Sequence, residues 1–317
     1  MDQFRLLCMF SIFYVASVVV GIGYANKVDD AKSWMFYWNS ALPKSPLPTK
    51  AVQQVLNPAG ERSYSGIGKD AVNLTPQDCY RVGTAYAASA EEIIVEPGLT
   101  TYFQGNDLQH SGKTVTMRFL KPTSNKAALL PRQVAESIPF SSSKLPEIQT
   151  YFRVNPKSGY AEIMKKTIGD CEKPAIKAED KYCATSLESL IDFMVSKLGK
   201  HVQVYSTEAE DESKQEYRIE TTGVQSIGDR SVVCHKENYV YGVFYCHKFD
   251  DTATKAYMVP LVPADGVTKA KAVAICHIDT TGWNPKHLAF RVLKIKPGNT
   301  VPVCHFLHTT SLLWVPM

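Results

Sequence analysis

A strand-dominated α+β domain is the fold class this sequence predicts: an antiparallel sheet or sandwich, linked by disulfides and carrying at least one packed helix. Three observations point there. From Lys200 onward the chain runs in short Val-, Tyr-, Phe- and Ile-rich segments separated by Gly, Asp or Pro, a spacing suited to antiparallel strands. Residues 184–199 place apolar side chains at helical intervals. Six of the eight cysteines fall after residue 150, where bridges would staple such a domain.

Taken in order, the first 25 residues read as a secretory signal. Arg5 supplies the basic start, Leu6 to Val20 the apolar centre, and Gly23-Tyr24-Ala25 the small residues of a cleavage site. A bilayer span needs roughly 20 apolar residues, and this run ends sooner, at Gly21–Gly23. The expected location is therefore extracellular, in the apoplast or cell wall, with a vacuolar or seed-storage compartment as the alternative; no membrane association is expected after cleavage. Export places the chain where disulfides persist. With Cys8 removed, up to three bridges are expected among Cys171, Cys183, Cys234, Cys246, Cys276 and Cys304, in a connectivity the sequence leaves open. Cys79 is left free or bonded to another chain.

Residues 26–99 read as a variable, proline-containing and less regular region. An aromatic cluster, Trp34 to Trp38, precedes Leu42-Pro43-Lys44-Ser45-Pro46-Leu47-Pro48, whose prolines favour extended backbone. The stretch from Pro58 to Gly68 lacks periodicity and reads as a linker, and Gly66-Ile67-Gly68-Lys69 as a flexible turn. Asn73-Leu74-Thr75 is an N-glycosylation sequon followed by Pro76.

From residue 100 to 317 the pattern tightens into a domain. Thr114–Leu120 alternates as a strand does. In the helix over 184–199, Thr185 and Glu188 suit a capping box and Gly199 a stop. Leu187, Leu190, Ile191, Met194, Val195 and Leu198 form its core-facing side. Further strands are expected at His201–Tyr205, Tyr239–Cys246, Ala256–Val262, Lys271–Ile278, Leu288–Ile295 and Val301–Leu307. Glu208, Glu210, Asp211 and Glu212 read as a solvated acidic loop, and His287 and His308 as surface or core-edge residues.

Four dipeptides carry the chemistry: Cys234-His235, Cys246-His247, Cys276-His277 and Cys304-His305. Eight cysteines and eight histidines in 317 residues would give only a fraction of one such pair by chance. Neighbouring side chains on a strand face opposite ways, so four sulfurs are expected on one side and four imidazoles on the other. In an oxidising compartment the sulfurs should pair as two disulfides. Three readings of the imidazoles stay open on this basis. They are hydrogen-bonded polar residues beside disulfides, or they join the sulfurs in a zinc site, or they bind a transition metal through nitrogen alone, with copper favoured. Strand alternation and export count against the second. Asp279, beside His277, would either orient a ligand imidazole or cap a turn.

The spacing CH-x10-CH-x28-CH-x26-CH resembles the CH-x10-CH-x25–27-CH-x25–26-CH signature of plant BURP-domain proteins. The gap of 28 is one residue longer than that pattern, as an insertion near Asp265-Gly266 would make it. Tyr239 to Tyr245 matches the family's aromatic strand, Cys276-His277-Ile278-Asp279-Thr280-Thr281-Gly282-Trp283 its CH-x-D-T-S-x-W, and Leu313-Trp314-Val315-Pro316 its end. Cys171 and Cys183 match its extra cysteine pair, and Trp38 to Pro48 its N-terminal portion more loosely.

The resemblance implies a secreted plant protein with a role in development or stress response, and no established catalysis. Its expected partners are cell-wall polysaccharide or a wall enzyme. Some members are copper-dependent enzymes that cyclise peptides by cross-linking Tyr or Trp on their own chain. For such a member the resemblance implies His235, His247, His277 and His305 as copper ligands, with Trp34, Tyr37 and Trp38 as candidate substrates; an aromatic cluster beside prolines is more often a packing segment. No other cofactor is expected. The net charge of +4 lacks a basic stripe with interleaved aromatics, so nucleic acid is not an expected partner. No G-x-S-x-G, H-E-x-x-H or P-loop motif is present.

Overall fold

The computed structural model describes residues 30–57 and 98–317, except 101, 111, 120–126, 176–178, 211, 250–253, 264–265 and 267–269. The proposed signal, the Gly66–Lys69 turn, the sequon at Asn73, Cys79 and Asp211 lie outside the described residues. Among those described, seven α-helices and thirteen strands form. Helices are α1 (Asp30–Ala41), α2 (Lys50–Leu56), α3 (Arg132–Ser137), α4 (Leu145–Tyr151), α5 (Gly159–Glu172), α6 (Leu187–Leu198) and α7 (Leu288–Leu293).

The strands build two antiparallel sheets. The larger runs in the order β1 (Phe103–Gln104), β12 (Val303–Phe306), β11 (Ala270–His277), β10 (Thr254–Pro263), β6 (Lys214–Ile219), β2 (Thr114–Arg118). Two short strands attach to it: β5 (Glu208–Ala209) on β11 and β7 (Gln225–Gly228) on β10. The smaller sheet runs β3 (Glu179–Ala184), β9 (Val243–Phe249), β8 (Val232–Glu237), β13 (Ser311–Pro316), β4 (Val202–Tyr205). Val233, Leu313 and Val315 of the smaller sheet pack with Ala256, Val273 and Ile275 of the larger one, so the sheets share an apolar interface. The result is the expected strand-dominated α+β fold.

Each sheet buries its outer face too. On the smaller sheet, Cys234, Cys246, Leu312 and Trp314 pack beneath the apolar side of α6. On the larger, Cys276 and Cys304 join Phe103, Tyr217 and Val259. With both faces covered, β8 and β11 are buried at nearly every position, polar residues included.

Several expectations are corrected. The region before residue 58 is helical where described, interrupted only by the proline turn. Trp38 is fully buried with its ring 5.5 Å from Trp314, and α2 joins the same core through Val52 and Val55. Ser45 fastens the turn between α1 and α2, its hydroxyl donating to Lys200 O and accepting from Val202 N. The cap of α6 is one residue later than Thr185: Ser186 accepts from Ser189 N, and Ser189 completes the box in place of Glu188.

Residues 288–293 form α7 where a strand was expected. His287 caps it by accepting from Ala289 N, and Ala289 and Phe290 bury against Tyr102 and Val303. A six-residue apolar run carries too little periodicity to separate the two conformations.

The expected strand from Tyr239 begins only at Val243. Tyr239 and Tyr241 instead turn into a cluster with Ile148, Phe152 and Met164 of the α3–α5 layer. The turn runs against the backbone of 128–129, with Gly242 N donating to Ala128 O at 2.6 Å. A Cβ on Gly242 would meet Leu129 N at 2.5 Å and Ala128 C at 2.7 Å. Gly242→Ala is therefore expected to cost about 1–3 kcal/mol as the backbones separate; a urea midpoint equal to wild type would contradict it.

Candidate functional site

The four Cys-His pairs occupy two equivalent positions, one in each sheet. In the smaller sheet Cys234 stands directly opposite Cys246 across β8 and β9. In the larger, Cys276 stands opposite Cys304 across β11 and β12. Both pairs are disulfides with Cα atoms 4.0 Å apart. A third bridge, Cys171–Cys183, ties the end of α5 to β3. These sulfurs are consumed as expected, which removes the mixed sulfur–nitrogen zinc reading.

Because strands alternate, each bridged cysteine turns its neighbouring histidine to the other face. His235 lies opposite Tyr245 and Ser311, so His247 is its diagonal neighbour. His305 lies opposite Ile275, so His277 is its diagonal neighbour in the same way. The faces concerned are the ones the sheets turn toward each other, and His247, His277 and His305 meet at one cleft there.

Within the first pair, Nε2 of His235 and Nε2 of His247 are 3.2 Å apart. Nδ1 of His235 contacts Ser311 Oγ at 3.1 Å, and Nδ1 of His247 contacts Glu179 Oε1 at 3.2 Å. The Tyr245 hydroxyl donates to the same Glu179 oxygen at 3.2 Å. Burial, then the negative charge of Glu179, pushes the Tyr245 phenol upward, so it stays protonated. In the second pair the rings of His277 and His305 stack with centroids 5.6 Å apart. Trp283 lies edge-on to His277 at 4.8 Å and contacts His287 at 4.7 Å. Tyr102 borders His305 and His287.

Burial governs the charge state of the cluster. His235 is held well below the ordinary imidazole value by desolvation, then by His247, His305 and His308. Desolvation does the same to His277, with further contributions from His305, His247 and His287. His305, though partly open to the cleft, is pushed down to about 4, mainly by burial. Burial also lowers His308. Neutral imidazoles are the form that binds a metal.

The donors suit copper in kind: they are imidazole nitrogens, and the cysteines beside them are bridged. The 3.2 Å between Nε2 of His235 and Nε2 of His247 is a hydrogen-bond distance, and a bound copper ion would be held by these nitrogens in place of the shared proton. Among the described residues, no three His, Cys, Asp or Glu side chains are already gathered around one point. A metal would therefore have to draw rings of the cluster inward.

Other sequence-predicted residues fall elsewhere. Asp279 accepts from Thr281 N and caps a turn. His287 is buried between Trp283 and Tyr102, neighbouring the cluster instead of the surface. Glu208 lies in β5 and Glu210 is exposed. Trp38 belongs to the core, Trp34 packs edge-on against it, and Tyr37 donates to Asp192. Glu179 had no sequence signal. It lies four residues before Cys183, and only the register of β3 on β9 brings it to His247.

A family model described as BURP domain matches residues 101–316. The chain is 48% identical to BURP domain protein RD22 of Arabidopsis thaliana, over 72% of this chain and 59% of that protein. It is 46% identical to BURP domain-containing protein 3 of Oryza sativa subsp. japonica, over 72% of this chain and 53% of that one. It therefore spans little more than half the length of either. BURP domain-containing protein 5 of the same rice is 37% identical over 99% of this chain and 96% of its own length.

Proposed function

This chain belongs to the BURP domain family, and from that premise we propose that it is a secreted protein of the plant apoplast or cell wall that binds copper through His235, His247, His277 and His305. The observation that carries the reading is the division of the Cys-His pairs. Their sulfurs are spent in bridges on the outer faces while their imidazoles gather between the sheets. Three disulfides suit an oxidising compartment, and no helix among the described residues is long and apolar enough to cross a membrane.

In this reading the chain's own groups prepare the site. Bridges fix the strand register, burial holds His235, His277 and His305 toward the neutral form, and the cleft has room for about a water molecule. Copper, when bound, would supply one-electron oxidation chemistry. Binding is preferred here over self-cyclisation, because Trp34, Tyr37 and Trp38 are engaged in packing and hydrogen bonds. A role in development or stress response goes with the family, and partners are expected among wall polysaccharides and wall enzymes. The net charge of +4 would favour an acidic polysaccharide.

Metal analysis of the oxidised, secreted chain tests this. Wild type should take up copper, and the paired replacements His235→Ala with His247→Ala, or His277→Ala with His305→Ala, should each remove it. Copper uptake unchanged in both double variants, or absent from wild type, would overturn the proposal.

A further inference from the structure

We infer that Glu179 is a positioning residue for the histidine cluster: its carboxylate holds the His247 ring with Nδ1–H turned outward and Nε2 turned toward His235. The inference rests on the metal-binding reading for its function, while the ring orientation is a property of the metal-free protein.

The geometry builds it from three contacts. Glu179 Oε1 lies 3.2 Å from His247 Nδ1, and the same oxygen accepts from the Tyr245 hydroxyl, so it meets Nδ1 as an acceptor and that nitrogen carries the proton. The Glu179 side chain is 2% exposed; water competes little for its oxygens, and the contact is correspondingly strong. Tyr245 donates to the same oxygen from two residues earlier on the same face of β9, fixing the carboxylate from a second direction. The third contact is on the opposite edge of the ring, where Nε2 of His247 faces Nε2 of His235.

With Nδ1 committed, Nε2 is the ligating nitrogen whatever proton it exchanges with His235. On the far side, Ser311 Oγ at His235 Nδ1 can donate or accept. His235 can therefore move its own proton from Nε2 to Nδ1 when a cation arrives. One histidine is held and the other can switch.

The register explains why a residue so far along the chain can do this. Glu179 pairs with Phe249 and Lys181 with His247, which places Glu179 diagonal to His247 on one face of the sheet. The Cys171–Cys183 bridge anchors β3 to α5 at the other end of the strand. That bridge thereby acquires a part in the site that its distance from the Cys-His pairs conceals.

The test uses the oxidised, metal-free protein with isotope-labelled histidine rings, followed by copper titration. In wild type, His247 should show the Nδ1-protonated form. Glu179→Ala should lose that preference and bind copper about 10–100-fold more weakly, the usual effect of removing an orienting partner. Glu179→Gln still offers an oxygen to Nδ1–H and should keep the tautomer with a smaller loss. Wild-type His247 protonated on Nε2 alone, or Glu179→Ala with unchanged tautomer and copper affinity, would overturn the inference. Should Glu179→Ala fail to fold, the wild-type tautomer and Glu179→Gln decide it. A wild-type protein with the expected tautomer that takes no copper would defeat the metal reading and leave the orientation of His247 standing.

Discussion

Replacing Cys234, Cys246, Cys276 and Cys304 together by alanine is expected to give a chain that no longer holds its fold at room temperature. The bridges close loops of 12 and 28 residues. Freed in the unfolded chain, such loops regain entropy worth about 3 and about 4 kcal/mol by the loop-closure argument. The sum is comparable to the roughly 5–15 kcal/mol that holds most domains folded. All four cysteines are also buried in cores, so smaller side chains leave gaps there. Removing either bridge alone should lower the urea midpoint measurably while leaving a cooperative transition. A chelator added to the oxidised protein should leave it folded, whereas a zinc–thiolate centre would make the chelator denaturing. A four-alanine variant with the wild-type midpoint would show that the bridges contribute little.

Stability is expected to fall as pH drops from about 7 to about 4, well before carboxylates such as Asp170 and Asp192 titrate. The sign follows from the histidines. His235, His277, His305 and His308 have lower values folded than the ordinary 6.5 of an unfolded chain. Between those limits the unfolded chain binds more protons, so acid favours unfolding. The stabilisation is complete above about 6.5, erodes below it, and for His305 is lost by about 4. Glu237, pushed up to about 7 by burial, acts the opposite way from its ordinary 4.5 to about 7 and offsets about one histidine. The remaining three leave a net loss of stability as the pH falls.

Copper affinity should follow a different course over the same interval. Protons compete for a ligand only near its folded value. The share of the affinity that His305 supplies should therefore persist to about pH 5 and be lost toward 4, below the 6.5 expected of an exposed histidine. Urea titrations and copper titrations at half-unit steps check both curves. Constant stability across pH 4–7, or copper affinity that does not fall between pH 5 and 4, would contradict them.

What the chain reveals before folding is what depends on near neighbours. The split between sulfur and imidazole follows from alternation alone, and residue types in Cys234-His235 and its counterparts are enough to see it. The amphipathic face of α6 is local in the same sense. Pairing is different. Cys276 meets Cys304 only because β11 lies beside β12, and no property of 278–303 announces that. Glu179 was invisible for the same reason. Trp38 and Trp314 lie near opposite ends of the chain, so the packing role of the aromatic cluster could be expected but its partner could not. At His287, one side chain capping α7 decided between helix and strand, a contact too small to register in hydrophobic periodicity.

The seating of Trp38 under Trp314 has a consequence for how this molecule survives cutting. Among the described residues, no disulfide joins 30–57 to the rest; the attachment is apolar contact and a few hydrogen bonds. A protease that nicks the backbone between Asn57 and Gly98 would divide the polymer without dividing the core. The two pieces would travel as one particle until a denaturant parted them.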